Sequence, residues 1–414
     1  MNRVLVDSGI EWMGKIPNEW KKEKLKNLYN FEKGRNAALY TKEYIDEHKG
    51  SYPVYSGQTE NNGVMGRIDS FDYCIPECIF TTTVGANVMT LKLLSGKFSL
   101  SQNCLIMQPK YESNNHFYYY LLQSLFEYEK SLVPSYMQPS LRIEDLKKYS
   151  FYIPSMKEQE RIANYLDDKC FRIDKTIKDN NKTISLLEEY KTSAISNIIR
   201  KGLKDEPLKE TGIPYIGKIP SSWKCVKFDR LFEITKRIAG TEGYDVLSIT
   251  QNGIKIKDIE SNEGQLAANY SNYQFVDIGD FAMNHMDLLT GWVDCSKYNG
   301  VTSPDYRVFK LKSDEIADKR YCLYYLQLCY KERIFYGFGQ GVSNLGRWRL
   351  PKDEFLSTYI PLPKLEEQQQ ICNYLDKHIS LINEVIEHRK KIIEKLEEYR
   401  KSLIYECVTG KKEV

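Results

Sequence analysis

No stretch of 18 or more apolar residues occurs in the 414-residue sequence, and its first residues do not pair a basic segment with an apolar one. A membrane-spanning helix and a secretory signal are therefore not expected. Histidine is scarce, at five residues, and the ten cysteines never form a Cys-x-x-Cys pair. Zinc sites draw on thiolates and imidazoles at short spacing, so no metal centre is expected; Cys74 and Cys78 read as strand-edge core residues. These absences describe a cytoplasmic protein in a reducing compartment. A dominant charge is missing as well. The net charge is +3, residues 1–154 carry 18 Lys and Arg against 17 Asp and Glu, and residues 205–363 carry 20 against 21. Nothing in these totals marks a basic nucleic-acid-binding domain, although balanced totals can hide a basic face.

Signatures of catalysis are also missing. There is no Asn-Pro-Pro-Tyr motif of the amino-methyltransferase type and no Gly-x-x-x-x-Gly-Lys-Ser/Thr phosphate loop. Gly337-Phe338-Gly339-Gln340-Gly341 is glycine-rich but has no lysine after it and no strand-then-helix setting. Pro304-Asp305 lacks an acidic-x-Lys partner of the nuclease kind.

What the chain does contain, it contains twice. Residues from Ile153 to about Arg200 fall without a gap, at an offset of 209, on Leu362 to about Thr409. Ile153-Pro154 matches Leu362-Pro363, Glu158-Gln159 matches Glu367-Gln368, and Asn164-Tyr165-Leu166-Asp167 matches Asn373-Tyr374-Leu375-Asp376. Each copy reads as one helix, with proline just upstream, none inside, and Gly202 as a stop for the first. Two rows with a seven-residue period run along each copy. In the first they are Leu166, Ile173, Asn180, Leu187, Ala194 and Cys170, Ile177, Ile184, Lys191, Ile198. In the second they are Leu375, Ile382, Arg389, Leu396, Leu403 and Ile379, Ile386, Ile393, Arg400, Cys407. Rows offset by three and four share one stripe, the pattern of a coiled-coil seam. At ~1.5 Å per residue each copy is a rod of roughly 65 Å, too long for one small domain to cover, so its natural partner is the other copy. Asn180 with Arg389, and Lys191 with Arg400, interrupt the two seams at equivalent places. Such residues either fix register or face water where the helices splay.

A second repeat precedes each globular region. Gly9-Ile10, Gly14-Lys15-Ile16-Pro17, Trp20 and Leu28-Tyr29 recur at an offset of 203 as Gly212-Ile213, Gly217-Lys218-Ile219-Pro220, Trp223 and Leu231-Phe232. We read this as a strap leading into each domain, with Trp20 and Trp223 capping a core. Strand-like runs follow at Tyr52–Tyr55, Cys78–Thr83, Val88–Leu91 and Cys104–Met107, then a tyrosine-rich helix over Phe117–Tyr128. The second region repeats this frame faintly at Tyr244–Ser248, Phe281–Met283 and Tyr321–Tyr330, with different loops. Similar scaffolds thus present two different surfaces.

This doubled arrangement resembles the specificity subunit of type I restriction–modification systems, and the resemblance covers the whole chain. It implies an α+β fold: two mixed α/β target-recognition domains, residues 1–152 and 205–361, separated by two long antiparallel coiled-coil helices, 153–204 and 362–414, in a pseudo-two-fold repeat. Each domain would read one half of a bipartite, asymmetric site in double-stranded DNA. The helices would set the spacing and dock two methyltransferase (M) subunits. Methyl transfer and ATP-driven cleavage would belong to the M subunits and to restriction (R) subunits with helicase and nuclease activity. S-adenosylmethionine, ATP and Mg2+ would bind there, leaving this chain non-catalytic and free of cofactors. Two related readings stay open: the specificity subunit of a methyltransferase-only or type IIB-like complex, and a coiled-coil scaffold without DNA specificity.

Half-sites on one face of a duplex recur at each turn of ~34–36 Å, within reach of readers on a rod of this length. Base edges are read mostly by Arg, Lys, Asn and Gln, while Ser, Thr and Tyr often serve phosphates. In the first domain this selects loops carrying Gln58, Asn61 and Asn62; Thr82, Thr83 and Asn87; and Tyr136, Gln138 and Arg142. In the second it selects Gln251 and Asn252; Asn284 and His285; and Gln340, Ser343, Asn344, Arg347 and Arg349. The loops at 135–142 and 339–349 precede the helices at comparable distances and are the better candidates.

Overall fold

The structure is a computed structural model that describes residues 3–58, 60–134, 136–258, 269–341 and 348–414. The chain divides into two compact units, one running to Asn180 and resuming at Lys390–Val414, the other spanning Asn181–Arg389. The divisions fall at Asn180 and Arg389, the equivalent polar positions of the two seams. Each unit therefore holds one globular domain and half of each long helix.

In the first unit six strands form one sheet: β1 (Tyr29–Lys33), β2 (Lys49–Tyr55), β3 (Val64–Ile68), β4 (Tyr73–Thr82), β5 (Leu91–Leu100) and β6 (Cys104–Pro109). Their order is β1-β6-β4-β5-β2-β3, antiparallel except for β2 beside β5. Successive strand residues point to opposite faces, and the core follows that period. Ile79 and Met107 pack toward helix α1 (Asn115–Ser131), while Phe80 and Ile106 join a cluster on the other face with Tyr73 and Phe98. Asn114 caps α1 by accepting a hydrogen bond from the Phe117 amide at 2.9 Å. Val88 and Met89, expected to be strand, form a turn before β5, with Met89 at φ +59°. Cys78 is buried in the sheet, but Cys74, on the same strand, is exposed rather than part of the core.

The second unit repeats this frame with fewer paired residues. Strands β7 (Phe232–Thr235), β8 (Phe281–Met283), β9 (Val293–Cys295) and β10 (Arg307–Leu311) stand in the order β7-β10-β8-β9, and α3 (Lys319–Lys331) packs on them. Register makes the equivalence explicit: Ile79 pairs with Met107 as Phe281 pairs with Phe309, and Thr81 with Leu105 as Met283 with Arg307. Isolated hydrogen bonds repeat too. The Leu25 amide donates to the Tyr149 carbonyl as Phe228 does to Thr358, and Leu141 donates to Thr83 as Leu350 does to His285.

The two long helices are α2 (Met156–Lys201) and α4 (Leu365–Val408). They run antiparallel within each unit. In the first, Arg400 pairs with Asp174 at 3.1 Å and Lys412 lies over the Tyr165 ring. In the second, Lys191 donates to Asn383 Oδ1 at 3.1 Å. Asp174 and Asn383, like Lys191 and Arg400, are equivalent by the 209 offset, so one cross-helix contact occurs twice. Leu166, Ile173 and Leu375 are buried, whereas Leu187, Ile382, Arg389 and Leu396 are half-buried. Asn180 is buried, and its amide donates one turn back to the Thr176 carbonyl at 2.8 Å.

The aspartate of each Asn-Tyr-Leu-Asp motif ties its helix to the tyrosine-rich helix of the same unit. Asp167 accepts from Tyr120 Oη at 2.9 Å and faces His116 Nδ1 at 2.7 Å; Asp376 accepts from Tyr324 Oη and from Arg320 Nη1 at 2.8 Å. Both strap tryptophans are buried. Gly202 and Gly410, at φ +73° and +71°, turn the chain beside them, where a Cβ would meet the Trp223 and Trp20 rings at 2.9 Å.

Candidate nucleic-acid interface

In both domains the strand at the centre of the frame ends in a turn that is tied to the segment before a short helix. In the first domain Thr83 holds Leu141, just ahead of the helix Ile143–Lys148. Thr83 and Leu141 both line a cleft of about 1060 Å³, together with Lys26, Lys33, Lys110, Arg142 and Lys147 among others. In the second domain His285 holds Leu350, ahead of the helix Lys352–Ser357. The turn from Asn284 to Trp292 touches loops on both sides. Gln251 Nε2 donates to the Thr290 carbonyl at 3.3 Å, and the Leu288 amide donates to Trp348 at 3.2 Å. Gln340 and Arg349 exchange two backbone hydrogen bonds, at 2.9 and 3.0 Å.

The side chains singled out from the sequence separate into structural and available groups. Gln58 donates to the Val64 carbonyl at 2.6 Å, Asn87 to Gly57 at 3.0 Å, and Thr82 Oγ1 to the Asn87 carbonyl. These three hold loops together. Asn61 and Asn62 take left-handed backbone angles, φ 48° and 54°, in the turn before β3. Thr83 is buried. Tyr136, Gln138 and Arg142 are exposed, with Tyr136 at 86%. In the second domain Gln251, Asn252, Gln340 and Arg349 are exposed, and Asn284 Oδ1 accepts from the Met286 amide at 3.2 Å. Ser343, Asn344 and Arg347 lie outside the described residues.

His285, taken from the sequence as a reading residue, is buried, and among the described residues its Nδ1 has no hydrogen-bond partner. Burial first, then the neighbouring Arg307 and Arg349, lowers its pKa from 6.5 to about 3. It is therefore neutral in the folded protein at neutral pH. Because the folded pKa lies below the unfolded one, this contribution to stability is present above pH 6.5 and is lost as pH falls from there toward 3. We expect the second unit to lose about 2 kcal/mol by about pH 5, and His285→Gln to remove that slope, measured by denaturant unfolding against pH.

Beside His285 sits Arg307, which the sequence reading missed. It is 6% exposed, donates Nη2 to the Leu350 carbonyl at 2.9 Å and stacks 4.9 Å from the Phe355 ring, and among the described residues its Nη1 has no partner. Burial, the larger influence, and Arg349 pull its pKa down to about 10, with Tyr330 opposing. The equivalent position in the first domain is Leu105, so the fold itself does not call for a cation there.

A sequence profile of the type I restriction modification DNA specificity domain matches residues 17–189 and 220–397. The chain belongs to the type I restriction–modification specificity family. The type I restriction enzyme MjaVIII specificity subunit of Methanocaldococcus jannaschii is 24% identical over 424 residues, covering 96% of this chain and 94% of that protein. The MpnII specificity subunit of Mycoplasma pneumoniae is 30% identical over 143 residues, 34% of this chain and 41% of its own length. A chain in a solved structure concerned with complex assembly and conformational transition of the type I R-M system superimposes at a TM-score of 0.67 with 13% identity, covering 95% of this chain and 98% of that one. At that identity the likeness carries the fold.

Within this specificity chain the two profile matches each take in one globular domain and most of the helix after it. Among the described residues no group of His, Cys, Asp and Glu could hold a metal ion, and no helix is long and apolar enough to cross a membrane. Lining up the two domains of the specificity chain at an offset near 202 would have exposed the Leu105/Arg307 difference. Within one domain, nothing in the spacing of Arg307 sets it apart from an ordinary strand residue.

Proposed function

We propose that this specificity chain reads double-stranded DNA, with each globular domain recognising one half of a bipartite, asymmetric site. The observation that carries this reading is the repeated joint, Thr83 to Leu141 and His285 to Leu350, whose geometry is the same while the surrounding side chains differ. In the first domain Tyr136 and Gln138 reach base edges, and Arg142, which lines the basic cleft, meets phosphate. In the second, Gln251, Asn252, Gln340 and Arg349 do so, with the charge of Arg307 and the neutral, buried ring of His285 behind them. Gln58, Thr82 and Asn87 shape the first reading loop without touching bases.

The chain acts within a complex. Two methyltransferase subunits carry S-adenosylmethionine, and restriction subunits carry ATP and Mg2+; this chain binds none of these and transfers no methyl group by itself. Mapping methylated adenines in cells that carry the chain with its cognate methyltransferase subunit tests the reading. A two-part, non-palindromic motif is expected. A contiguous or palindromic motif, or methylation without sequence preference, would sink it. Adding a four-residue block to one long helix is expected to change the number of unread bases between the halves and leave both halves as they were. A changed half-site with the old spacing would show that the helices do not set the distance.

A further inference from the structure

The charge balance of the first domain conceals a strong local excess. Five of the residues lining its cleft are cations, Lys26, Lys33, Lys110, Arg142 and Lys147, against one carboxylate, Glu144. Lys147 is paired with Glu144 at 2.9 Å, and Lys110 Nζ donates to the Lys26 carbonyl at 2.7 Å. Lys26, Lys33 and Arg142 have no carboxylate partner among the described residues. Unpaired cations that share one concavity repel each other within a Debye length of ~8 Å, and the walls of a cleft concentrate their field. Such a set is relieved by an anion with several regularly spaced charges.

Comparison with the second domain shows that the scaffold does not impose this charge. Lys312 Nζ donates to the Asp229 carbonyl at 2.6 Å as Lys110 does to Lys26, which fixes the equivalence of those positions. With the offsets of 203 and 209, Lys26 becomes Asp229, Lys33 becomes Lys236, Arg142 becomes Pro351, Glu144 becomes Asp353 and Lys147 becomes Leu356. Five cations against one carboxylate turn into two against two, at the same places in the same frame.

We propose that the first domain's cleft is a phosphodiester track, and that the chain grips DNA unevenly, with this domain supplying the larger electrostatic share. The inference rests on the DNA-reading function proposed above. Lys26, Lys33 and Arg142 donate to phosphate oxygens of the duplex beside the first half-site and release condensed counterions as they do so. They position the duplex and carry no base preference of their own, which leaves Tyr136 and Gln138 at the neighbouring loop to read.

The test uses the full chain assembled with its cognate methyltransferase subunit and a duplex carrying the mapped methylation site. Binding is measured from about 0.05 to 0.2 M salt, where each phosphate contact contributes about 0.9 to the slope of log affinity against log salt. The triple variant Lys26→Gln, Lys33→Gln, Arg142→Gln is expected to lose about 2–3 from that slope and to methylate the same sequence. Lys236→Gln with Lys312→Gln, at the equivalent places in the second domain, is expected to change it less. The charge-retaining set Lys26→Arg, Lys33→Arg, Arg142→Lys is expected to keep the slope. An unchanged slope in the glutamine variant, an altered methylated sequence, or equal loss in the charge-retaining set would overturn the track. A wild-type assembly that prefers no duplex sequence would instead remove the DNA-reading function, and the track with it.

Discussion

Replacing Gln368 with Ala is expected to destabilise the second unit by about 3–5 kcal/mol. Gln368 is fully buried, donates Nε2 to the Pro363 and Ile316 carbonyls at 2.9 and 3.1 Å, and accepts at Oε1 from the Asp318 amide at 2.8 Å. One side chain thus joins the start of α4 to the loop that begins α3, where Asp318 itself caps the helix through the Arg320 and Tyr321 amides. Truncation takes the partner from the buried Pro363 carbonyl and from the part-buried Ile316 carbonyl and Asp318 amide, and a group left unpaired away from water costs about 1–3 kcal/mol. Its counterpart Gln159 is also buried and donates to the Pro154 carbonyl at 3.1 Å, while among the described residues its Oε1 has no partner. Gln159→Ala should therefore cost the first unit about 1 kcal/mol. Hydrogen exchange read separately over residues 316–330 and 114–130 distinguishes the two. Equal losses of protection would show that the hydrogen bonds of Gln368 do not carry the difference.

Arg307→Leu should act in the opposite direction on stability and reduce function. Among the described residues no carboxylate pairs with this buried guanidinium; such burial is costly, and replacing buried charge with a fitting apolar side chain is neutral or stabilising by about 1–4 kcal/mol. Leucine already occupies the equivalent position as Leu105, fully buried in the same register. The second unit is expected to gain about 1–2 kcal/mol. Recognition at its half-site should weaken by about 1–3 kcal/mol, a loss of roughly 5- to 150-fold, because the charge behind Arg349 and His285 is gone. Denaturant unfolding and methylation rates on substrates mutated in either half-site measure both effects. A marked loss of stability with methylation unchanged would make Arg307 a structural residue.

What could be read from the sequence was whatever repeats or has a period. The long helices follow from proline placement and the heptad rows, and the strap tryptophans from their recurrence at one offset. The equivalent polar positions Lys191 and Arg400 proved to make the same cross-helix contact, to Asn383 and Asp174. Residues whose role depends on pairing across the sheet were not legible. His285 and Arg349 look alike as polar loop residues, yet His285 is buried in the turn just after β8, where its carbonyl holds the Leu350 amide, while Arg349 is exposed. Gln58, Thr82 and Asn87 have the chemistry of base readers, but loop closure uses their side chains. The basic cleft gathers residues from 26 to 147, a convergence that only the folded sheet produces.

The central claim is that each globular domain reads its own half of the site. Exchanging residues 25–141 for those of a relative with a different target, and mapping methylated adenines by sequencing, tests it most directly. A new first half, with the old second half and the old spacing, is expected. Loss or alteration of the second half in a chain that still supports methylation would contradict it.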